Sequence, residues 1–114
     1  MITVYGIRNC DTVRKARAWL DERGLEYRFH DYRKDGVPGE QLDTWLDRFG
    51  WETVINRRGT TWRRLPEAQR AAMDTAGARA AAEANPSLIR RPIVEHDGGT
   101  LVGFDAEEWQ EALA

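Results

Sequence analysis

Cysteine is almost missing from this chain: Cys10 is the single one among 114 residues. One cysteine cannot close an internal disulfide, which excludes a disulfide-stapled scaffold and fits a reducing compartment, the cytoplasm. Lysine is nearly as scarce, with only Lys15 and Lys34, so the cations are almost all arginine. Long apolar runs are lacking; none approaches the ~20 consecutive residues a membrane helix needs. The N-terminus runs straight into strand-like residues, without the basic and then apolar regions of a secretion signal. Net charge is only −2, so no global attraction draws the chain to nucleic acid or to an acidic membrane. The two histidines, His30 and His96, have no partner at metal-ligand spacing, and no metal site is expected. What is present is a globular composition, 41% hydrophobic and 32% charged, in a length that suits one domain with its own core.

Hydrophobic periodicity divides the chain. Ile2 to Tyr5 reads as a short buried strand, and Gly6 to Asn9 as a turn. Asp11 to Arg23 has a helical period, with Val13, Ala16 and Leu20 on one stripe and Gly24 as its stop. Leu25 to His30 alternates and reads as a second strand, so the first thirty residues form a βαβ unit with parallel strands. Asp31 to Gly39 is a loop with turn residues Asp35, Gly36 and Pro38. Leu42, Trp45, Leu46 and Phe49 mark an amphipathic helix over 40–49.

Residues 51–64 are polar and irregular. Pro66 is placed to open a short helix at its first position. Residues 73–84 are alanine-rich and predict another helix, which Asn85-Pro86 stops; a further turn follows. Pro92 to Glu95 and Thr100 to Phe104 are strands joined by a turn at Asp97-Gly98-Gly99. Asp105 with Glu108 three residues on predicts an N-cap for a last helix through Leu113. The order is β-α-β, a helical middle, then β-β-α: an α/β, thioredoxin-like (glutaredoxin-like) four-stranded mixed sheet with a helical insertion at roughly 37–90. In that layout Trp45 and Trp109 fall in the core, while Trp62 is open to a binding role.

Cys10 falls where the first strand hands over to the first helix. A thiol there faces the free N–H groups and positive dipole end of the helix, which favour thiolate, the reactive form. Arg8, Arg14 and Lys15 push the same way, and Asp11 opposes them. Position alone leaves two readings, a reactive thiol and a small buried hydrophobe. Arg91-Pro92 opens the hairpin strand, at the point where a thioredoxin-like layout sets an X-Pro opposite the thiol. An X-Pro bond has a low cis penalty, and a cis bond is expected here.

The segments Ile2-Thr3-Val4-Tyr5-Gly6-Ile7, Asn9-Cys10-Asp11-Thr12 and Leu88-Ile89-Arg90-Arg91-Pro92-Ile93-Val94 resemble the ArsC family. That family holds glutaredoxin-coupled arsenate reductases, Spx transcription regulators and a YffB-type group. The Cys-Asp-Thr start and Asn56-Arg57-Arg58-Gly59-Thr60-Thr61-Trp62-Arg63 resemble the YffB-type group most. The resemblance implies a catalytic cysteine at Cys10. It also implies oxyanion-holding arginines: one matches Arg91, a second falls at Asn56 with Arg57 and Arg58 beside it, and a third falls at Gly103. A histidine of the reductases falls at Gly6. Spx proteins typically carry a Cys-x-x-Cys switch, whose second position is Val13 here.

These matches imply a thiol-dependent reductase with Cys10 as its sole nucleophile. With no second cysteine, an external thiol must resolve any adduct, and glutathione is the expected co-substrate. Arg91 and Pro92, Arg57 and Arg58 are the expected substrate-binding residues, facing a small oxyanion, a disulfide or a glutathione carboxylate. Asn9 and Thr12 either donate to the thiolate or cap the helix. Arsenate reduction is expected to be poor, because one arginine is lost and another displaced; if the pocket is otherwise competent, an arginine placed at 103 is expected to improve oxyanion binding, and no change would put the deficit at Gly6 or Asn56. The alternative is a non-catalytic, Spx-like protein-binding adaptor.

Overall fold

The computed structural model describes residues 1–114 and divides them into two compact units, one of Met1–Asp35 with Arg91–Ala114 and one of Gly36–Arg90. The first unit carries four strands, β1 (Ile2–Gly6), β2 (Tyr27–Asp31), β3 (Ile93–His96) and β4 (Gly99–Val102), in the order β2-β1-β3-β4. β1 pairs parallel with β2 in the register Val4↔Phe29, while β1–β3 and β3–β4 are antiparallel. This is the mixed four-stranded, thioredoxin-like sheet expected. Parallel strands need a crossover, which α1 (Asp11–Glu22) supplies.

Side-chain spacing explains how α1 binds the sheet. Val13, Ala16, Trp19 and Leu20 recur at helical intervals and are all buried. Ala16, Trp19 and Leu20 meet Val4, Val94 and Leu101 from the sheet and Trp109 from α7 (Ala106–Leu113). Trp109 crosses Trp19 edge-on at 5.8 Å and Phe104 at 4.8 Å, and its indole N–H donates to Gly103 O at 3.1 Å. Such aromatic pairs add about 0.5–1.5 kcal/mol beyond area burial. Asp105 Oδ1 accepts from the N–H groups of Glu107 and Glu108, as the N-cap expectation required.

The second unit is helical: α2 (Gly39–Phe49), α3 (Trp51–Val54), α4 (Thr60–Arg63), α5 (Glu67–Ala71) and α6 (Thr75–Ala84), then a 3₁₀ turn at Pro86–Leu88. Leu42, Trp45 and Leu46 of α2 are buried, and α2 packs on the alanine face of α6, where Ala78, Ala81 and Ala82 are buried. Small side chains there let the two helices approach closely. Arg79 adds ion pairs to Asp43 and Glu83. Ile55 and Ile89 form an isolated antiparallel bridge, flanked by Asn56 N–H to Leu88 O (2.8 Å) and Arg90 N–H to Val54 O (2.7 Å).

Several boundaries differ from expectation. β2 starts at Tyr27 and β3 at Ile93, and β4 ends at Val102. The stretch read as irregular holds two single-turn helices, α3 and α4. Gly50 permits the first of these: its φ of +83° ends α2 and redirects the chain into α3. Pro66 precedes α5 as its N-cap rather than occupying its first turn. α6 starts at Thr75 because the side chain of Asp74 caps it through Gly77 N–H at 2.7 Å.

Candidate active site

β1 delivers the chain into a four-residue loop, Ile7 to Cys10, and Cys10 is the N-cap of α1. Its backbone is extended, with φ −133° and ψ 125°, and its carbonyl accepts from Arg14 N–H at 2.9 Å. The side chain makes no capping hydrogen bond, and the thiol is partly exposed. The sulfur is therefore uncommitted at a helix end whose first N–H groups have no intrahelical acceptor.

The loop is fixed by a residue the sequence did not single out. Asp31, at the end of β2, is 7% exposed, the one buried charged residue of the chain. Its Oδ2 accepts from Arg8 N–H at 3.3 Å, and its Oδ1 from Arg33 N–H at 2.8 Å and Lys34 N–H at 3.3 Å. Burial alone would raise the carboxyl pKa. The Arg33, Lys34 and Arg8 N–H groups and the Arg8 charge outweigh burial, and the net shift is downward. Tyr32 N–H donates to Gly6 O at 2.8 Å, a second tie between the two loops. The available sequence signal was an aspartate directly after a strand, a residue type that bonds backbone a few positions on.

The Arg91–Pro92 bond is cis, as expected, and Pro92 is buried with its carbonyl accepting from Gly103 N–H at 2.8 Å. Arg91 is half-buried. Its charge acts on the phenol of Tyr32, which is 1% exposed and whose hydroxyl makes no hydrogen bond. Burial, reinforced by Tyr5, holds that phenol well above its ordinary range, and Arg91 offsets part of the effect. Tyr32 lies 6.5 Å from the stacked ring of Tyr5 and 6.4 Å from His30.

Other expected residues fall out differently. Arg14 forms an ion pair with Asp11 beside the helix start. Thr12 does not cap, because Cys10 occupies the cap and Thr12 stands exposed in the first turn of α1. Asn9 is exposed in the turn. Gly6 cannot be replaced freely: a Cβ there would stand 2.9 Å from Val13 Cγ2. Gly103 has φ +84°, a conformation side-chain-bearing residues rarely adopt, so an arginine at 103 meets backbone strain. Of the histidines, His30 lies 5.0 Å from the ring of Tyr5 and 6.4 Å from that of Tyr32, and His96 Nδ1 accepts from Gly98 N–H.

Arg57 and Arg58 belong to the second unit. They line a pocket of about 270 Å³ with Glu52, Ile55, Asn56 and Arg90. A larger depression, about 780 Å³ and bordered by Arg17, Asp21, Gly24 and Tyr27, lies by the C-terminal end of α1, away from Cys10.

A thioredoxin-like sheet with a lone thiol at the first helix N-cap and a cis proline at the start of the hairpin strand defines a class of thiol-bearing α/β proteins. Within that class the chain belongs to the ArsC family, whose model matches residues 5–112. It is 46% identical to an uncharacterised protein of Haemophilus influenzae, with all of both chains covered. It is 27% identical to the global transcriptional regulator Spx of Listeria innocua, over 99% of this chain and 87% of that one. Among solved structures it resembles a YffB protein (TM-score 0.94, 49% identity, both chains fully covered). It also resembles an arsenate reductase from Vibrio cholerae (TM-score 0.81, 22% identity, 98% and 97% covered), a likeness of fold alone. No helix is long and apolar enough to cross a membrane.

Proposed function

We infer that the protein is a thiol-disulfide oxidoreductase of the cytoplasm that works with a single cysteine and glutathione or a similar small thiol. The observation that carries this reading is the uncommitted, partly exposed sulfur of Cys10 at the N-cap of α1, in a chain without a second cysteine. In the first step the Cys10 thiolate attacks the glutathione sulfur of a mixed disulfide. That S–S bond breaks, a Cys10–glutathione disulfide forms, and the substrate leaves as a thiolate that takes a proton from water. In the second step a glutathione thiolate attacks the glutathione sulfur on Cys10. Oxidised glutathione leaves, and the Cys10 thiolate returns. The net reaction converts one mixed disulfide and one glutathione into a substrate thiol and oxidised glutathione. Asp31 holds the loop through Arg8 N–H, and Arg91 supplies a half-buried cation in the same unit.

Incubation with oxidised glutathione tests the reading by intact mass. One glutathionyl group should add to the wild-type chain and none to Cys10→Ser. A wild-type chain that stays unmodified would favour the second reading, a protein-binding adaptor. The likeness to the Listeria innocua Spx regulator over nearly the whole chain supports that alternative.

A further inference from the structure

The pocket in the second unit brings together residues far apart in sequence. Asn56, Arg57 and Arg58 follow one strand of the Ile55–Ile89 bridge, and Arg90 follows the other. Glu52 projects from α3. Glu52, Arg57, Arg58 and Arg90 are all exposed, and none of them forms an ion pair. The side-chain ion pairs of this protein lie elsewhere, at Arg14–Asp11, Arg23–Glu22, Arg79–Asp43 and Arg79–Glu83. Three guanidinium groups and a carboxylate thus border one cavity without closing on each other.

The backbone beneath these side chains is fixed. Arg58 N–H donates to Asn56 Oδ1 at 3.2 Å, and Arg58 O accepts from the Arg63 guanidinium at 3.0 Å. Arg90 N–H is held by Val54 O. Arg57 lies 5.5 Å over the ring of Trp51, which stacks on Trp62 at 6.0 Å. An arginine laid on an indole loses less freedom when it grips an anion than one free in water. Gly59 sits close under the same turn, where a Cβ would stand 2.9 Å from Asn56 Nδ2 and would displace that amide.

The charges select the ligand. A bare phosphate would use the guanidinium groups and be repelled by Glu52. A molecule carrying a carboxylate and an ammonium on one carbon satisfies both, with the carboxylate on the arginine forks and the ammonium on Glu52. A volume of about 270 Å³ is below the usual range for a whole drug-sized ligand, and suits a headgroup with the remainder outside. We propose that Glu52, Arg57, Arg58 and Arg90 form a binding pocket for an α-amino-acid headgroup, presented by the γ-glutamyl end of glutathione. The headgroup follows from the pocket; glutathione as its bearer rests on the proposed function.

Calorimetric titration of the full chain with S-methylglutathione tests this without any disulfide chemistry, so the result is independent of Cys10 reactivity. S-methylglutathione should bind. Glu52→Gln and Arg90→Ala should each weaken it about tenfold, the size expected for one charged hydrogen bond. Both positions are exposed, and such replacements leave folding intact. An analogue lacking the α-amino group should bind the wild-type chain as weakly as S-methylglutathione binds Glu52→Gln. No binding, or affinity unchanged in both variants, overturns the pocket while the mass test of Cys10 stands on its own. Inorganic phosphate competing on equal terms would make it a plain anion site and also overturn the proposal.

Discussion

Asp31 is hydrogen-bonded to the backbone N–H of Arg8, two residues before the only cysteine. One carboxylate at the end of β2 thereby sets the path by which β1 reaches α1. With Arg33 and Lys34 it satisfies three N–H groups at once. Replacement by alanine leaves those donors without their acceptor, at a cost of about 3 kcal/mol by the usual size of charged and buried hydrogen bonds. Asp31→Ala should show that loss in urea denaturation, with slower Cys10 alkylation in the protein that remains folded. An unchanged denaturation midpoint would deny Asp31 this role.

The same carboxylate predicts a pH response. Its pKa is lowered below the ordinary value of 3.8 on folding, so the unfolded chain takes up the proton first. The stability it contributes is complete above 3.8 and is lost as pH falls through the lower folded value. Asp31→Asn, which cannot titrate, should therefore lose less stability than the wild type as pH is lowered from 5 to about 3. Parallel loss in the two proteins would assign the acid sensitivity to other carboxylates.

Much of this arrangement was legible in sequence because it is periodic or punctuated. The Val13–Ala16–Leu20 stripe, Trp45 in α2 and Trp109 in α7 gave the core positions, and all are buried. Cys10 and the cis Arg91–Pro92 bond stand at junctions that strand and helix signals delimit. The turns α3 and α4 were not legible, since four residues are too few to show a helical period. Asp31 escaped because its role lies in backbone N–H groups, one of them 23 residues back. Glu52 and Arg90 escaped because only the Ile55–Ile89 bridge makes them neighbours.

Histidine at position 6 should be destabilising. Its Cβ would stand 2.9 Å from Val13 Cγ2, and Val13 is fully buried on α1. Relief requires movement of the helix that carries Cys10. Overpacking of this kind costs about 1–3 kcal/mol. Gly6→His should lower the urea midpoint accordingly, and Val13→Ala in the same chain should recover part of the loss by opening space. A Gly6→His chain as stable as the wild type would show that α1 adjusts freely.

Arsenate turnover should stay slower than about 1 per second, the low end of ordinary enzyme rates. A tetrahedral oxyanion at a thiolate needs several cations around it, because each charged hydrogen bond contributes about 1.5–3 kcal/mol and one cannot replace three. Arg91 is a half-buried cation in the unit that holds Cys10, while Arg14 is paired with Asp11 and position 103 is glycine. Gly103→Arg does not repair this directly. At φ +84° a side chain costs about 1–2 kcal/mol. The same residue also donates to Pro92 O and accepts from the Trp109 indole, so strain there spreads to the hairpin and to α7. Gly103→Arg should therefore lower stability by about that amount in urea denaturation. Any gain in oxyanion affinity should appear only in the fraction that remains folded. Glutathione-coupled arsenate turnover in the wild type at or above about 1 per second would defeat the argument. A stable Gly103→Arg chain with unchanged turnover would move the deficit away from position 103, toward Gly6 or Asn56.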